Sequence, residues 1–358
     1  MKTKKVLKKL IIILVVLLVL VMGAVIFFDP FYHYHKSLPF LKNILTQRDF
    51  QVGGTIDHFD YDAVILGSSV AENINNGQVD DAFGVTCIKA VKASATNADL
   101  MYYLERAFEK QDLKLVIYAI TTDEMLGDPQ TYISETDYYY LLDKNPFNDL
   151  EYLLNKDVLL KKIPAQLTYS FLLDYNEDES YSWYATKEFS KEAVTSRYYP
   201  QDEFLECRDV PSELSNFYEN LDALTSLVEK HSDTKFIFYV SPNSSLWWDN
   251  KYRTGDAENQ YFYIYNLCET LSEYKNAEIY NFAYNDEYTF NLDIYMDTVH
   301  FDEKTNAGII NRIIVKDGIY DKDENKSQEE RFRNELIEFS EQEIKEIYPE
   351  ATTKKGEY

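Results

Sequence analysis

The chain has 358 residues, of which 45% are hydrophobic, so it is long enough and apolar enough to bury a sizeable core. It carries 61 acidic side chains against 36 basic ones, which gives a formal net charge of -25 at pH 7. Nucleic-acid binding depends on basic side chains that displace the counterions of the phosphates. We therefore expect no nucleic acid among the partners of this protein.

The N-terminus carries the clearest local signal in the chain. Five lysines lie within residues 1–9, and an uncharged apolar run of 19 residues follows at 10–28. At ~1.5 Å per residue, such a run spans about 28 Å as a helix, which is close to the hydrocarbon thickness of a bilayer. Because lysines favour the cytoplasmic side, the sequence predicts a single-pass protein of the cell membrane with a cytoplasmic tail at 1–9 and an extracellular main domain. A cleaved signal peptide is the alternative, although its apolar core is usually shorter.

Strands and helices are predicted to alternate beyond a juxtamembrane connector at 29–59. Short apolar runs predict five strands, at 61–67, 85–91, 113–120, 235–241 and 277–282. Segments with helical spacing predict helices at 97–110, 211–231, about 256–273 and 304–315. This alternation predicts an α/β domain over 60–320, with a mainly parallel sheet covered by helices on both faces.

Two segments do not follow the alternation. A tyrosine-rich stretch at about 121–210 separates the third and fourth predicted strands and is interpreted as an insertion. The C-terminal segment 321–358 is predicted to be a helical tail. Within it, 326–348 has the spacing of a charged amphipathic helix, with Phe332, Leu336, Phe339 and Ile347 near one face.

In open parallel sheets, reactive groups collect at the carboxyl ends of the strands. The first strand ends in Gly67-Ser68-Ser69. A serine there lies beside backbone amides at the start of a helix, and these amides can stabilise a developing oxyanion. Turn formation and helix capping are the alternative explanations for such serines.

A nucleophilic serine needs a base, and the chain has five histidines. Of these, His300 follows the last predicted strand and precedes the last helix of the sheet, so it is predicted at the same sheet edge. Asp297 lies three residues earlier, where its carboxylate can orient the imidazole and stabilise the imidazolium. The pattern therefore predicts a Ser-His-Asp site.

Together these two motifs resemble a known superfamily. Gly67-Ser68-Ser69 after the first strand and Asp297-x-x-His300 near the end are similar to the SGNH (GDSL-like) hydrolases over roughly residues 60–316. The N-terminal anchor and Ser241-Pro242-Asn243 after the fourth strand are similar to the DltD-like membrane-anchored branch. The resemblance implies a three-layer α/β/α, flavodoxin-like sandwich with Ser69 as the nucleophile. It also implies acyl transfer to, or removal from, cell-envelope polymers.

The chain departs from the superfamily pattern at the expected oxyanion hole. Ser94 lies where the second family block supplies glycine, and Thr122 lies where the third supplies asparagine. The resemblance therefore implies an oxyanion hole formed by the Ser69 amide with Ser94, Thr122 or Asn243 as replacement donors. Losing one such donor typically costs about 10²- to 10³-fold in rate.

Trp247 and Trp248 follow the Ser-Pro-Asn motif at the same edge and are candidates for stacking on sugar rings; core packing is the alternative.

Asp123 and Asp302 are expected to be solvated, and no cluster of metal-ligating residues converges with them. The sequence predicts neither a metal nor a cofactor.

Two hypotheses for function follow. The first is a membrane-anchored serine esterase or O-acyltransferase that acts on acetyl or D-alanyl groups of a cell-envelope polysaccharide or teichoic acid. The lipid bilayer, through the N-terminal helix, and a membrane-bound O-acyltransferase are its expected partners. The second is a non-catalytic accessory or binding protein of the same kind of acylation system.

Overall fold

The computed structural model describes residues 2–202 and 204–352, so 353–358 of the predicted tail lie outside the described residues. The chain divides into two compact units. Met1–Asp60 with Tyr132–Tyr181 form one, which we call the N-terminal unit, and Tyr61–Thr131 with Ser182–Tyr358 form the other, the sheet unit. The predicted insertion is thus shared between the units, and the predicted domain boundaries stay a prediction.

Fifteen α-helices and five strands form the regular structure of the described residues. In chain order, the α-helices are α1 (Lys2–Phe28), α2 (Arg48–His58), α3 (Asn76–Phe83), α4 (Asn97–Lys110), α5 (Thr122–Leu126), α6 (Leu150–Leu153), α7 (Ile163–Phe171), α8 (Lys191–Thr195), α9 (Pro211–Lys230), α10 (Ser245–Arg253), α11 (Ala257–Ser272), α12 (Asp286–Thr289), α13 (Glu303–Ile314), α14 (Lys322–Glu338) and α15 (Ile344–Ile347). The strands are β1 (Ala63–Gly67), β2 (Cys87–Val91), β3 (Leu115–Ile120), β4 (Lys235–Val240) and β5 (Ala277–Asn281).

The five strands form one parallel sheet in the order β2-β1-β3-β4-β5. Each strand corresponds to one of the predicted apolar runs, and the predicted α/β class is confirmed. The strands β1, β2 and β3 are buried along their whole length, as expected for parallel strands that helices cover on both faces. The sheet therefore brings all five carboxyl ends to one edge.

The helix α4 shows how the sequence specifies a helix that covers the sheet. The Thr96 hydroxyl accepts the Asp99 amide, and the Asp99 carboxylate accepts the Thr96 amide, which completes a capping box at the N-terminus. Its inner face buries Leu100, Leu104 and Ala107. Amphipathic spacing and the cap together explain why the predicted and observed bounds of this helix agree.

The C-terminal helix is present but begins earlier than predicted and is not uniform. Asp321 caps α14 by accepting hydrogen bonds from two backbone amides, so the helix starts at Lys322. Phe332 and Leu336 are buried within the sheet unit, to which α14 belongs, whereas Ile347 is only half-buried. A π-helical stretch at Phe339–Glu343 separates α14 from α15.

In the N-terminal unit, the segment Thr3–Phe28 is long and apolar enough to cross a membrane by length and composition. It fits either a membrane anchor or a signal sequence.

The central strand gives a test of the core. Ile117 in β3 is fully buried, so replacing it by alanine leaves a cavity and is expected to cost about 2–5 kcal/mol of unfolding free energy. Urea unfolding in detergent, followed by circular dichroism, measures the change. Val315→Ala, at an exposed position, is the control and should stay within about 0.5 kcal/mol of the wild type. A loss as small for Ile117→Ala would contradict the burial of this side chain in the core.

Candidate active site

A cavity of about 420 Å³ lies at the carboxyl edge of the sheet. Residues that follow the strands β1 to β4, together with the loop before α13, line it. The lining residues are Ser68, Ser69, Ser94, Ala95, Thr121, Thr122, Asp123, Glu124, Asn243, Asp297, Thr298, Val299 and His300. All predicted catalytic and oxyanion residues are in this set.

The turn after β1 presents Ser69 to the cavity. Gly67 has a φ of 152°, and a Cβ there would approach the Ala71 side chain to 2.8 Å and the Ala119 carbonyl oxygen to 3.0 Å. Only glycine fits this conformation and space. The chain then enters a short 3₁₀ helix at Ser69–Ala71, which leaves the Ser69 side chain half-buried.

The structure brings the three predicted catalytic residues together. Ser69 Oγ lies 2.7 Å from His300 Nε2, and His300 Nδ1 lies 2.8 Å from Asp297 Oδ2. With the Asp297 carboxylate ionised, Nδ1–H donates to it and Nε2 is left to accept the Ser69 hydroxyl proton. This arrangement can raise the nucleophilicity of a serine.

A tight loop fixes the His300 ring. Tyr295 and Phe301 form an isolated antiparallel bridge, and the Met296 amide donates to the His300 carbonyl at 3.0 Å. Asp297 Oδ1 accepts the backbone N–H groups of Val299 and His300. The loop is therefore held by backbone hydrogen bonds at its base and by the Asp297 carboxylate inside it.

The loop after β4 supports the histidine loop from the other side. Ser244 donates to the Thr298 carbonyl oxygen from its backbone N–H at 3.1 Å and from its hydroxyl at 2.8 Å. The same hydroxyl caps α10 by accepting the Trp247 amide. The Ser-Pro-Asn region thus helps to position His300 through backbone contacts.

The pKa of Asp297 is lowered. Burial alone would raise it, but the hydrogen bonds and the charge interaction with His300, with further backbone N–H donors, outweigh that effect. The carboxylate is consequently ionised at neutral pH, as an orienting group for the imidazole must be.

The candidate oxyanion residues lie around the same cavity. Ser94 is exposed and has a φ of 49°, a left-handed conformation that glycine adopts more readily. Thr122 begins α5 and is buried, and its hydroxyl has no hydrogen-bond partner among the described residues. Asn243 is also buried. A strained Ser94 backbone and an unpartnered Thr122 hydroxyl are features that a binding site can use.

Glu124 is a residue of the cavity that the sequence reasoning missed. Its carboxylate accepts the Ser68 amide at 3.2 Å and the Thr121 amide at 3.3 Å, so it links the turn after β1 to the turn after β3. Burial raises its pKa to about 7, against the opposing effect of these hydrogen bonds and one from Tyr118. The Thr121-x-x-Glu124 spacing is a capping-box pattern and could have pointed to this position.

Trp183 is a second residue that sequence reasoning missed. Its indole Nε1–H donates to the Ser69 carbonyl oxygen at 3.3 Å, and its ring meets the His300 ring edge-on with centroids 5.4 Å apart. Asn73 Oδ1 accepts the Trp183 amide and holds the residue in place. No spacing motif joins Trp183 to the serine or histidine motifs, so only the fold reveals it.

The predicted sugar-stacking role of Trp247 and Trp248 is not supported by their positions. Trp248 is fully buried and stacks on Tyr261 at 5.2 Å, with Phe332 of α14 packed edge-on. Trp247 is 8% exposed, and the Lys251 ammonium lies over its ring. Neither lines the cavity, because α10 turns both rings inward. Core packing, the alternative left open by the sequence, describes them.

The two acidic residues expected to be solvated have different surroundings. The Asp123 side chain is 65% exposed at the rim of the cavity. Asp302 caps α13 by accepting the Thr305 amide. Within residues 2–202 and 204–352, no group of three or more histidine, cysteine, aspartate or glutamate side chains could hold a metal ion.

Comparison with solved structures finds a Streptococcus pneumonia protein provisionally described as a platelet activating factor. It is 10% identical, with a TM-score of 0.39, over 76% of this chain and 92% of that chain. No protein-family model matches this chain, and no curated protein matches it either. A likeness this distant carries no argument about activity.

The buried carboxyl group of Glu124 predicts a pH dependence of stability. Because its folded-state pKa is raised, the folded protein binds this proton more tightly than the unfolded chain does. The stability that the proton contributes is present at low pH and is lost as the pH rises towards about 7. Glu124→Gln, which resembles the protonated side chain, should reduce this decline in the free energy of unfolding, measured between the ordinary pKa of 4.5 and about 7.

The matched control is Glu287→Gln, which removes one exposed carboxylate from the sheet unit. A decline that is equally steep in the wild type and in Glu124→Gln would show that Glu124 does not cause it.

Proposed function

We propose that the protein is a serine esterase or O-acyltransferase whose catalytic residues are Ser69, His300 and Asp297. The observation that carries the proposal is the continuous hydrogen-bonded chain from the Ser69 hydroxyl through His300 to the Asp297 carboxylate. It opens into a cavity large enough for an acyl group and part of its carrier. These are the groups that nucleophilic acyl transfer requires.

The chemistry follows from the geometry. His300 takes the Ser69 proton as Oγ attacks the ester carbonyl carbon, and the carbonyl oxygen becomes an oxyanion. Collapse of this intermediate breaks the bond to the leaving alkoxide, which receives the proton from His300, and leaves an acyl-Ser69 ester. Attack by water then gives hydrolysis, whereas attack by a sugar hydroxyl gives transfer.

The substrate class comes from the resemblance to the SGNH hydrolases and their DltD-like branch. We propose an O-linked acetyl or D-alanyl group on a cell-envelope polysaccharide or teichoic acid, with a membrane-bound O-acyltransferase as a candidate partner. The serine- and threonine-rich lining supports a short polar acyl group over a long aliphatic one.

We further propose that α1 is an uncleaved anchor with a cytoplasmic N-terminus. Val25, near its end, is fully buried within the N-terminal unit. Asp29, just after the helix, accepts backbone N–H groups from Tyr34 and His35 and the hydroxyl of Tyr152. Cleavage before Asp29 would remove the buried Val25 and the packing of α1 against α6, so these contacts support a helix that belongs to the folded protein.

The first test is covalent labelling of the nucleophile. The full-length protein in detergent should react with a fluorophosphonate probe and hydrolyse p-nitrophenyl acetate, and Ser69→Ala should abolish both. Ser272→Ala, on α11 and away from the cavity, is the control and should keep both. Labelling that survives in Ser69→Ala would place the nucleophile elsewhere, and a wild-type protein that is never labelled would favour the non-catalytic accessory.

The second test concerns the oxyanion hole. Thr122→Val removes a buried hydroxyl that has no hydrogen-bond partner in the described residues, so the free energy of unfolding should stay the same or rise. Because we expect this hydroxyl to stabilise the oxyanion, kcat should fall about 10²- to 10³-fold. Ser245→Ala removes another such hydroxyl that does not line the cavity, and it should leave kcat unchanged. An equal kcat in both variants would exclude the Thr122 hydroxyl from the hole.

A further inference from the structure

The N-terminal unit exposes an unusual number of large apolar side chains within one short segment. Apart from α1, seven such residues lie between 147 and 173, each between 43% and 85% exposed. They are Phe147, Leu150, Leu154, Leu160, Phe171, Leu172 and Leu173. Large exposed apolar groups concentrated in this way are typical of an interaction surface rather than of a solvated one.

Part of this set lies on a single helical face. A π-helical stretch at Val158–Lys162 continues into α7. Along it, Leu160, Pro164, Leu167 and Phe171 follow each other at helical spacing, and all but the half-buried Leu167 are exposed. The opposite face buries Val158, Ile163 and Gln166 in the unit. The helix therefore has one apolar face that is buried in the unit and another that no described residue covers.

The segment is joined to the end of the predicted membrane anchor. Both α6 and the π-helical stretch pack against α1. Tyr152 of α6 donates its hydroxyl to Asp29, and the hydroxyl accepts the Phe31 amide, directly after the last turn of α1. The exposed apolar side chains thus lie beside the point where α1 would leave a bilayer.

The local charge of the segment differs from that of the whole chain. Residues 147–173 contain three lysines and three acidic side chains, a net charge of 3 − 3 = 0, whereas the chain carries -25. No acidic residue occurs from Val158 to Leu173. A locally basic, apolar helix suits anionic lipid headgroups and the upper acyl chains.

We propose that segment 147–173 binds the surface of the same lipid bilayer that α1 crosses, with Leu160 and Phe171 inserted among the acyl chains. The segment acts as a second membrane contact that fixes the orientation of the N-terminal unit, which a single helix does not. Lipid is favoured over a protein partner because the segment packs against the anchor helix and because its helical part, 158–173, contains two lysines and no acidic residue. The proposal does not depend on esterase activity.

The test uses the full-length chain in vesicles of equal parts phosphatidylglycerol and phosphatidylcholine with brominated acyl chains, which quench nearby tryptophan fluorescence. Leu160→Trp and Phe171→Trp place a reporter on the proposed face, and the wild-type emission of Trp183, Trp247 and Trp248 is subtracted. Tyr199→Trp, at a residue of the sheet unit that is 78% exposed, is the matched control. Circular dichroism checks that each variant keeps its fold.

The reporters at 160 and 171 are expected to lose most of their added emission in brominated vesicles, whereas the control reporter should keep its emission and be quenched by aqueous iodide. Two outcomes would overturn the proposal. One is quenching by iodide, and not by bromine, at both test positions. The other is protection from both quenchers, which would mean that protein, such as a second copy of the chain, covers this face.

Discussion

The contact on which the functional interpretation depends is the hydrogen bond between Ser69 Oγ and His300 Nε2. It joins residues 231 positions apart in the sequence, so no local motif can create it. The parallel sheet makes it possible by aligning the carboxyl ends of β1 and β5 on one edge, with β3 and β4 between them. Because strand spacing in a sheet is about 4.8 Å, the loop after β5 must extend back across the edge to reach β1.

Several contacts that take no part in the chemistry hold this geometry. Glu124 links the serine turn to the end of β3, and Ser244 links the end of β4 to the histidine loop. Trp183 contacts both partners, through the Ser69 carbonyl and the His300 ring. Each supporting contact comes from a different strand end or loop, so the position of the imidazole relative to the hydroxyl is fixed from several directions.

The sequence was sufficient for the sheet because buried parallel strands leave continuous apolar runs, and all five were recognisable. It also placed Ser69 and His300 at one edge, since strand polarity determines which end of the sheet each residue occupies. The sequence did not predict whether Trp248 is buried or exposed, because two adjacent aromatic residues in a helix do not indicate which face of the helix is buried. Glu124 and Trp183 were missed because their roles depend on contacts with distant residues.

The division of the segment 121–210 between two units also could not be read from the sequence. Its tyrosines include both buried and exposed side chains, for example Tyr152 and Tyr199, so composition gives no boundary.

The acidic charge of the whole chain does not decide whether one segment of it can contact anionic lipid. Electrostatic attraction to a membrane falls off within about 10 Å at moderate ionic strength, so only charges near the surface contribute. The stretch 158–173 carries Lys161 and Lys162 and no acidic side chain, so the acidic charge of the whole chain does not oppose the proposed lipid contact there.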